Sequence, residues 1–568
     1  MNTIQNEKNT FDAIVIGSGI SGGWAAKELC EKGLKTLVLE RGRSVKHVAD
    51  YPTAFKHPWE LPHRNRLSQK MQQENPIADR CYAFDEATQH FFVKDKEHPY
   101  IQEKPFDWIR GYQVGGKSLT WARQTQRWSK YEFDNPSRDD YSIEWPIKYK
   151  DVADWYSYVE RFVGISGNKD GLETLPDGVF LPAWEMNRTE REMSDAIMAK
   201  YENRHAIIGR CAHLTQPKDI HFQQGRAQCQ ARHLCYRGCP YGAYFSSNAS
   251  TLPWAEKTGN LTLQSDAVVH SILYDEDKQK AVGVKVIDRL SKAERYYFST
   301  IIFLNAACVN SNLLLLNSKS KRFPNGLGND NGLLGKYVAF HNYRGSLTAT
   351  RPGNLDSYYY GRRPTSIMIP NFRNVNRLDS DFRGGYMTFF TADRSSWGRA
   401  VEGEQIGAAF KRKISQPGGW TVYMMMQGET IPKERNHVRL SSDQKDEWGI
   451  PLLIASIDYD ENDEKLLQDF WKEGHAMLEA AGCENIVKHD SGQAPGLDIH
   501  VMGGVRMGKD PNTSLLNKWN QLHTCKNVFV TDGACMTSVG VQNPSLTFMA
   551  LTARAANYAV EQLKKGLL

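Results

Sequence analysis

The run Phe11-Asp-Ala-Ile-Val-Ile-Gly17 is apolar from Ala13 onward, short and bounded by glycine, which predicts a buried strand. Gly17-Ser-Gly19-Ile-Ser-Gly22 then opens a helical run through Ala25, Ala26 and Leu29 to Lys32, stopped by Gly33. Leu34 to Leu39 predicts a second strand, ending in Glu40. Together these form one βαβ unit, the opening of a doubly wound sheet. From about residue 46 to 105 the chain is polar, aromatic and irregular, as an insertion or lid would be. Leu261–Ala267 and Ala281–Asp288 read as strands joined by an acidic turn over Tyr274–Gln279, and Tyr297–Asn305 as another strand before a helical Asn310–Ser318. Alternating β-type runs from Gly335 to Asp460 carry Tyr358, Tyr359, Tyr360, Phe389, Phe390, Trp397 and Trp420, predicting an antiparallel second sheet. Glycine-rich turns return from Gly492, and a last helix is expected to start near Asn543.

Composition narrows the class without choosing a function. Of 568 residues, 40% are hydrophobic and 24% charged, which is globular composition and excludes a disordered or fibrous chain. Lysine plus arginine is 71 against 65 acidic residues, a net charge of +6. Spread over this length, that charge gives no case for a nucleic-acid partner. No stretch approaches the roughly 18 apolar residues of a membrane span, and Met1–Thr10 is polar with no apolar signal core. Six of the ten cysteines are scattered, whereas Cys211, Cys229, Cys235 and Cys239 fall close together. Such clustering suggests metal ligation more than bridging.

The glycine turn has the context that gives it meaning: a strand before, a helix after, an acidic residue at the end of the next strand. Gly17 allows the tight turn, Gly19 lets the backbone approach a pyrophosphate, and Gly22 lets helix and strand pack closely. Ser18 lies in the same turn. The helix N-terminus offers free N–H groups and its positive dipole end. Glu40, followed by Arg41, is placed to accept hydrogen bonds from a ribose diol.

Four further motifs follow in order: Gly111-Tyr-Gln-Val-Gly115-Gly116-Lys-Ser118, Asp498-Ile-His500-Val-Met-Gly503-Gly504-Val-Arg506, Val530-Thr-Asp532-Gly533-Ala534 and Gly540-Val-Gln-Asn543-Pro544. With the N-terminal turn they resemble the glucose–methanol–choline (GMC) oxidoreductases over essentially the whole chain. The resemblance implies an α/β fold: a doubly wound, Rossmann-like FAD-binding domain and a substrate domain built on an antiparallel sheet. The expected division is 1–45, 106–127, 200–334 and 492–568 for the FAD domain, with a cysteine insertion near 205–245. Residues 46–105, 128–199 and 335–491 go to the substrate domain and lid.

By position, His500 matches the family's active-site histidine and Asn543 its histidine-or-asparagine partner. The residue types suit alcohol oxidation. A neutral imidazole can take the hydroxyl proton while hydride leaves the same carbon for the flavin, and an amide can hold the oxygen without a second charge. Asn543 before Pro544 also reads as a helix N-cap with proline at N1. Asp532 and Gly533 match the stretch beside the flavin's diphosphate and ribityl chain, and Gly115, Gly116 and Ser118 the loop beneath the isoalloxazine. Ala267 and Pro544 complete the expected FAD contacts. No histidine follows the glycine pair, so non-covalent FAD is expected.

Cys229-x5-Cys235-x3-Cys239-Pro240 departs from the plain oxidases. It resembles the large subunits of multi-subunit sugar and polyol dehydrogenases, where cysteines hold an iron–sulfur centre. Three ligands are clear and the fourth is open: Cys211 could complete a 4Fe–4S centre. His213 or His233 could replace it, three cysteines could hold a 3Fe–4S centre, and a structural zinc is the main competitor. Such a centre would pass electrons to a partner, hence a dehydrogenase.

The stretch Leu313–Ser318, Phe323–Gly328 and Leu334–Gly335 looks most like the glucoside 3-dehydrogenase branch. That implies oxidation at carbon 3 of a sugar or glycoside, a small subunit carrying the export signal, a cytochrome c acceptor and work in the periplasm. The sequence alone equally permits a cytoplasmic enzyme. A gluconate- or polyol-type dehydrogenase and an oxygen-using sugar oxidase are the competing readings.

Overall fold

The computed structural model describes residues 6–357, 363–395 and 406–568. Strand β1 (Thr10–Ile16) buries its last four residues, and helix α1 (Ile20–Glu31) returns the chain to β2 (Thr36–Leu39). Next come β3 (Leu261–Gln264), the long pair β4 (Ala267–Asp275) and β5 (Lys280–Asp288), β6 (Glu294–Leu304) and helix α2 (Cys308–Asn317). In the sheet the order is β3-β2-β1-β6-β5-β4, with Val528–Val530 also paired to β6. The pairs β3·β2, β2·β1 and β1·β6 are parallel, with Ile14 opposite both Leu37 and Ile302.

The chain steps outward from β1 through β2 to β3 on one side and returns to place β6 on the other side of β1, so the crevice at the carboxyl ends of β1 and β6 is a topological switch point. Gly17 stands there with φ +99°, and a Cβ on it would come within 2.3 Å of the Asn305 carbonyl oxygen beyond β6. The expected hairpin is real, but its first strand is β4. Leu261–Gln264 is a separate parallel strand, cut off by the left-handed residue Asp266, whose φ is 56°.

Antiparallel pairing runs through the second sheet, in the order Glu484–Asp490, Gly345–Arg351, Trp420–Glu429, Tyr386–Arg394, Ile367–Ile369, Ile207–Ile208. A two-residue strand, His341–Asn342, pairs with Glu429 and Gly428 at its edge. Helix α3 (Glu461–Ala480) covers one face, burying Leu466, Leu467, Phe470 and Met477 against Leu347, Met424 and Tyr386. Of the aromatic run that marks this sheet in the sequence, Phe389, Phe390 and Trp420 are core residues, while Tyr358, Tyr359, Tyr360 and Trp397 lie outside the described residues. The final helix α4 (Ser545–Lys564) sets Ala555, Ala556 and Ala559 against Ala25 and Ala26 of α1, small side chains that let the helices approach closely.

Packing at the glycine turn separates two roles. A Cβ on Gly22 would lie 1.9 Å from the Gly17 carbonyl oxygen, whereas one on Gly19 would meet nothing within 4 Å. Gly22→Ala is therefore expected to cost about 1–3 kcal/mol of stability through overpacking. Gly19→Ala should leave the melting temperature of the apoprotein unchanged, as thermal unfolding of both variants will show.

Candidate active site

A single cleft begins at the glycine turn and ends at the loops beyond the second sheet. It is lined by Gly17, Ser18, Gly19, Glu40, Arg41, Gly116, Ser118, Ala267, His500, Asp532, Gly533, Asn543 and Pro544. Two expected cofactor residues do not line it. Gly22 packs under Gly17, and Gly115 (φ +89°) sits where any Cβ would overlap the Asn248 side chain.

At the nucleotide end, Glu40 is buried and already engaged. One carboxylate oxygen accepts from the Ser18 N–H (3.2 Å) and hydroxyl (2.6 Å), the other from the Gly42 N–H (2.9 Å). Burial pushes this carboxyl above the usual range, and those three donors hold it back. Ser18 Oγ also accepts from the Gly115 N–H at 3.0 Å, fastening the second glycine loop to the first. Arg41 is spread between the Tyr112 and Trp448 rings and pairs with Asp446. Asp532 accepts from the Ser311 hydroxyl at 2.5 Å and the Ala534 N–H at 2.9 Å, and burial lifts it to about 6.

At the other end stands a histidine pair that sequence reasoning missed. His341 and His500 are 159 positions apart, yet their Nδ1 atoms meet at 2.9 Å. One Asp498 oxygen accepts the backbone N–H groups of both histidines at 3.0 Å, and its second oxygen takes the Gly496 N–H at 3.0 Å. His341 Nε2 lies 2.9 Å from the Gly540 carbonyl. Burial drives both imidazoles neutral, His341 to about 3 and His500 well below its ordinary value.

These contacts fix the tautomers. A carbonyl only accepts, so His341 carries its proton on Nε2 and presents a bare Nδ1. His500 must then donate from Nδ1, which leaves its Nε2 lone pair facing Asn543 Nδ2 at 3.4 Å. Asn543 does not cap α4. The cap residue is Pro544 and no side chain caps it, so the amide points into the cleft, its Nδ2 toward His500 and its Oδ1 without a hydrogen-bond partner. Nothing local in the sequence marks His341; only the pairing of His341–Asn342 with the Trp420–Glu429 strand brings it here.

Behind this pair lies Glu429, whose oxygens accept from the Gly540 N–H (3.0 Å) and the Tyr141 hydroxyl (3.2 Å). Burial, reinforced by the negative charges of Glu132 and Asp139, raises its carboxyl to about 8.

The cysteines divide unevenly. Cys229, Cys235 and Cys239 are half-buried in one loop, while Cys211 is fully buried with its sulfur 3.3 Å from the Ser166 hydroxyl. His213 Nε2 instead reaches Cys235 Sγ at 3.7 Å. Among the described residues, three potential metal-ligand atoms come within 4.8 Å of one another only at His341, Asp498 and His500. A single tetrahedral zinc, with Zn–S of about 2.3 Å, would hold thiolates closer than that. An iron–sulfur core binds each thiolate to a different iron and spreads them wider. The guanidinium of Arg123, stacked on Tyr236 at 4.5 Å, stands within electrostatic range of Cys235 and suits an anionic core.

The GMC oxidoreductase profile matches residues 11–341 and again residues 432–552. The chain belongs to this family. The GMC protein is 27% identical to the 2-methyl-1,2-propanediol dehydrogenase of Mycolicibacterium austroafricanum, over 96% of its own length and 94% of that enzyme's. It is 25% identical to the fructose dehydrogenase large subunit of Gluconobacter japonicus, over 99% and 100%. Among solved structures, the pyridoxine 4-oxidase from Mesorbium loti superposes with a TM-score of 0.60 at 17% identity, covering 97% of this chain and 99% of that one. This GMC chain is thus an enzyme of the oxidoreductase class with the two-domain fold of its family.

Glu429 supplies a test of the buried electrostatics. A carboxyl whose folded-state value is raised holds its proton where the unfolded chain has released it, so its contribution to stability falls as pH rises through that window. Relative to Glu429→Gln, the wild type is expected to lose melting temperature steadily between about pH 5 and 8. Parallel curves would show that Glu429 ionises normally.

Proposed function

We propose that this protein is an FAD-dependent dehydrogenase that oxidises a secondary hydroxyl of a sugar or glycoside, at carbon 3 of a glucoside in its finest reading. The unprotonated Nε2 of His500, held beside the Asn543 amide in the dinucleotide cleft, carries the proposal. Ser18, Gly19, Glu40, Asp532 and the α1 N-terminus would hold the nucleotide and diphosphate of non-covalent FAD. Gly116, Ser118 and Pro544 would lie against its ring. The cradle fits, because the space before Gly19 is open and the helix N–H groups face it. Bound FAD supplies the hydride acceptor.

The chain's own residues supply the rest. His500 Nε2 takes the hydroxyl proton, and the His341 contact keeps that nitrogen unprotonated beforehand. The Asn543 amide N–H fixes the oxygen, so that the carbon's hydrogen faces the ring. Cys229, Cys235 and Cys239 would hold an iron–sulfur centre, with Cys211, His213 or His233 as the candidate fourth ligand, of which His213 lies 3.7 Å from Cys235 Sγ. That centre would supply one-electron transfer outward, to a cytochrome c. The large-subunit name of the fructose dehydrogenase relative supports a working complex with a small subunit, which would carry the export signal to the periplasm. Among the described residues, no helix is long and apolar enough to cross a membrane.

Two measurements test this reading. Mixing the holoenzyme anaerobically with a glucoside should bleach the flavin. His500→Ala should slow bleaching by about 10²–10⁴-fold at unchanged FAD content. Because His500 is held neutral well below its ordinary value, the wild-type rate should stay flat from pH 8 down to 6; a fall near 6.5 would mean an ordinary histidine. Metal analysis should find three or four iron atoms per chain, lost in Cys235→Ser; zinc in their place, or rapid peroxide formation, would remove the outward route.

A further inference from the structure

Lys117 follows the Gly115–Gly116 turn, in a short helical turn over Gly116–Leu119. Its backbone is fixed: Gly116 has φ +50°, and the N–H groups of Thr120 and Trp121 both donate to the Lys117 carbonyl, at 3.1 and 3.0 Å. The stem passes Gly111, where an added Cβ would lie 3.7 Å from Lys117 Cγ. The side chain lines the cleft in company with Cys81, Ile109 and His500. Its charge acts on Asp498, Cys81 and Cys308, and on His500 itself.

No acidic group pairs with this ammonium among the described residues. Asp498, the acid within range, forms no ion pair with it and has both oxygens committed to backbone N–H groups. Glu40, at the nucleotide end, is not among the charges it acts on. An ammonium buried in a mostly apolar cleft with no acid in ion-pair contact is costly: burial lowers its pKa, Asp498 offsets this only at a distance, and its charge opposes protonation of His500. Its place is explained if the negative charge arrives with the reaction.

We infer that Lys117 is the counter-charge for the reduced isoalloxazine, a residue that sets the flavin's potential and not only its fit. This rests on the reading that FAD fills the cleft. The charge balance requires such a partner. The substrate carbon loses hydride, a proton with two electrons, to the ring, and its hydroxyl proton goes to His500. The carbonyl product is neutral, the imidazole gains one positive charge and the ring gains one negative charge. Once His500 releases its proton to solvent, Lys117 is the cation left within electrostatic range of it; of the arginines that line the same cleft, Arg41 and Arg110 pair with Asp446 and Asp95, and Arg123 stacks on Tyr236 near Cys235. Charge near the ring is an established lever on flavin electronics.

The test is the midpoint potential of the bound flavin, measured by dye equilibration on wild-type, Lys117→Met, Lys117→Gln and Lys117→Arg holoenzyme without substrate. Loss of the charge in Met or Gln should lower the ratio of reduced to oxidised flavin at least tenfold at fixed poise, a shift of about −30 mV or more for a two-electron couple. Lys117→Arg should stay near wild type. Unchanged potentials in both Met and Gln, with FAD retained, overturn the inference while leaving the FAD reading intact. So does an effect confined to a raised KM for substrates bearing a carboxylate, which would make Lys117 a substrate anchor. If purified wild type binds no FAD, the underlying reading fails first.

Discussion

A single buried carboxylate organises the reacting end of this molecule. Asp498 accepts backbone N–H groups from Gly496, His500 and His341, so it ties a glycine-rich C-terminal loop to the edge of the second sheet. Without that clamp, two histidines 159 positions apart would not share a proton between facing Nδ1 atoms. Neutral, hydrogen-bonded imidazoles in a buried site are worth keeping because each nitrogen is then committed to one role. The Gly540 carbonyl ends the chain, and its preference for a donor propagates through His341 to decide which nitrogen of His500 is bare.

The same economy of fixed donors appears at the nucleotide end. Glu40 serves first as the knot of its own loop, taking Ser18 and Gly42, and Ser18 in turn takes the Gly115 N–H. The cleft is thus shaped by hydrogen bonds that need no ligand. Preorganisation of this kind lets binding energy act on the substrate and not on ordering the site. Its buried charges are arranged asymmetrically: acids sit where backbone donors can neutralise them, whereas Lys117 shares the cleft with His500 and, among the described residues, has no acid in ion-pair contact.

How far the sequence foretells this varies with the range of the interaction. The first βαβ unit reads directly, because periodicity, glycine spacing and the acid at position 40 are local signals. His500 and Asn543 emerge from motif order, and the structure brings them to 3.4 Å. His341 is illegible because its partner is distant and its strand has only two residues. The break between β3 and β4 hides in one left-handed aspartate, whereas the aromatic run announces the second sheet, with Phe390 and Trp420 in its core. The cysteine spacing signals ligation. It does not say that Cys211 turns to Ser166 while His213 turns to Cys235; that depends on tertiary contacts.

The most direct measurement is a crystal structure of the oxidised holoenzyme with an unreactive sugar analogue bound. The account predicts one analogue hydroxyl within about 3.2 Å of both His500 Nε2 and the Asn543 amide nitrogen, its carbon turned to the isoalloxazine. An analogue hydroxyl bound elsewhere, or His500 presenting Nδ1 to the cleft with its contact to His341 broken, would contradict it.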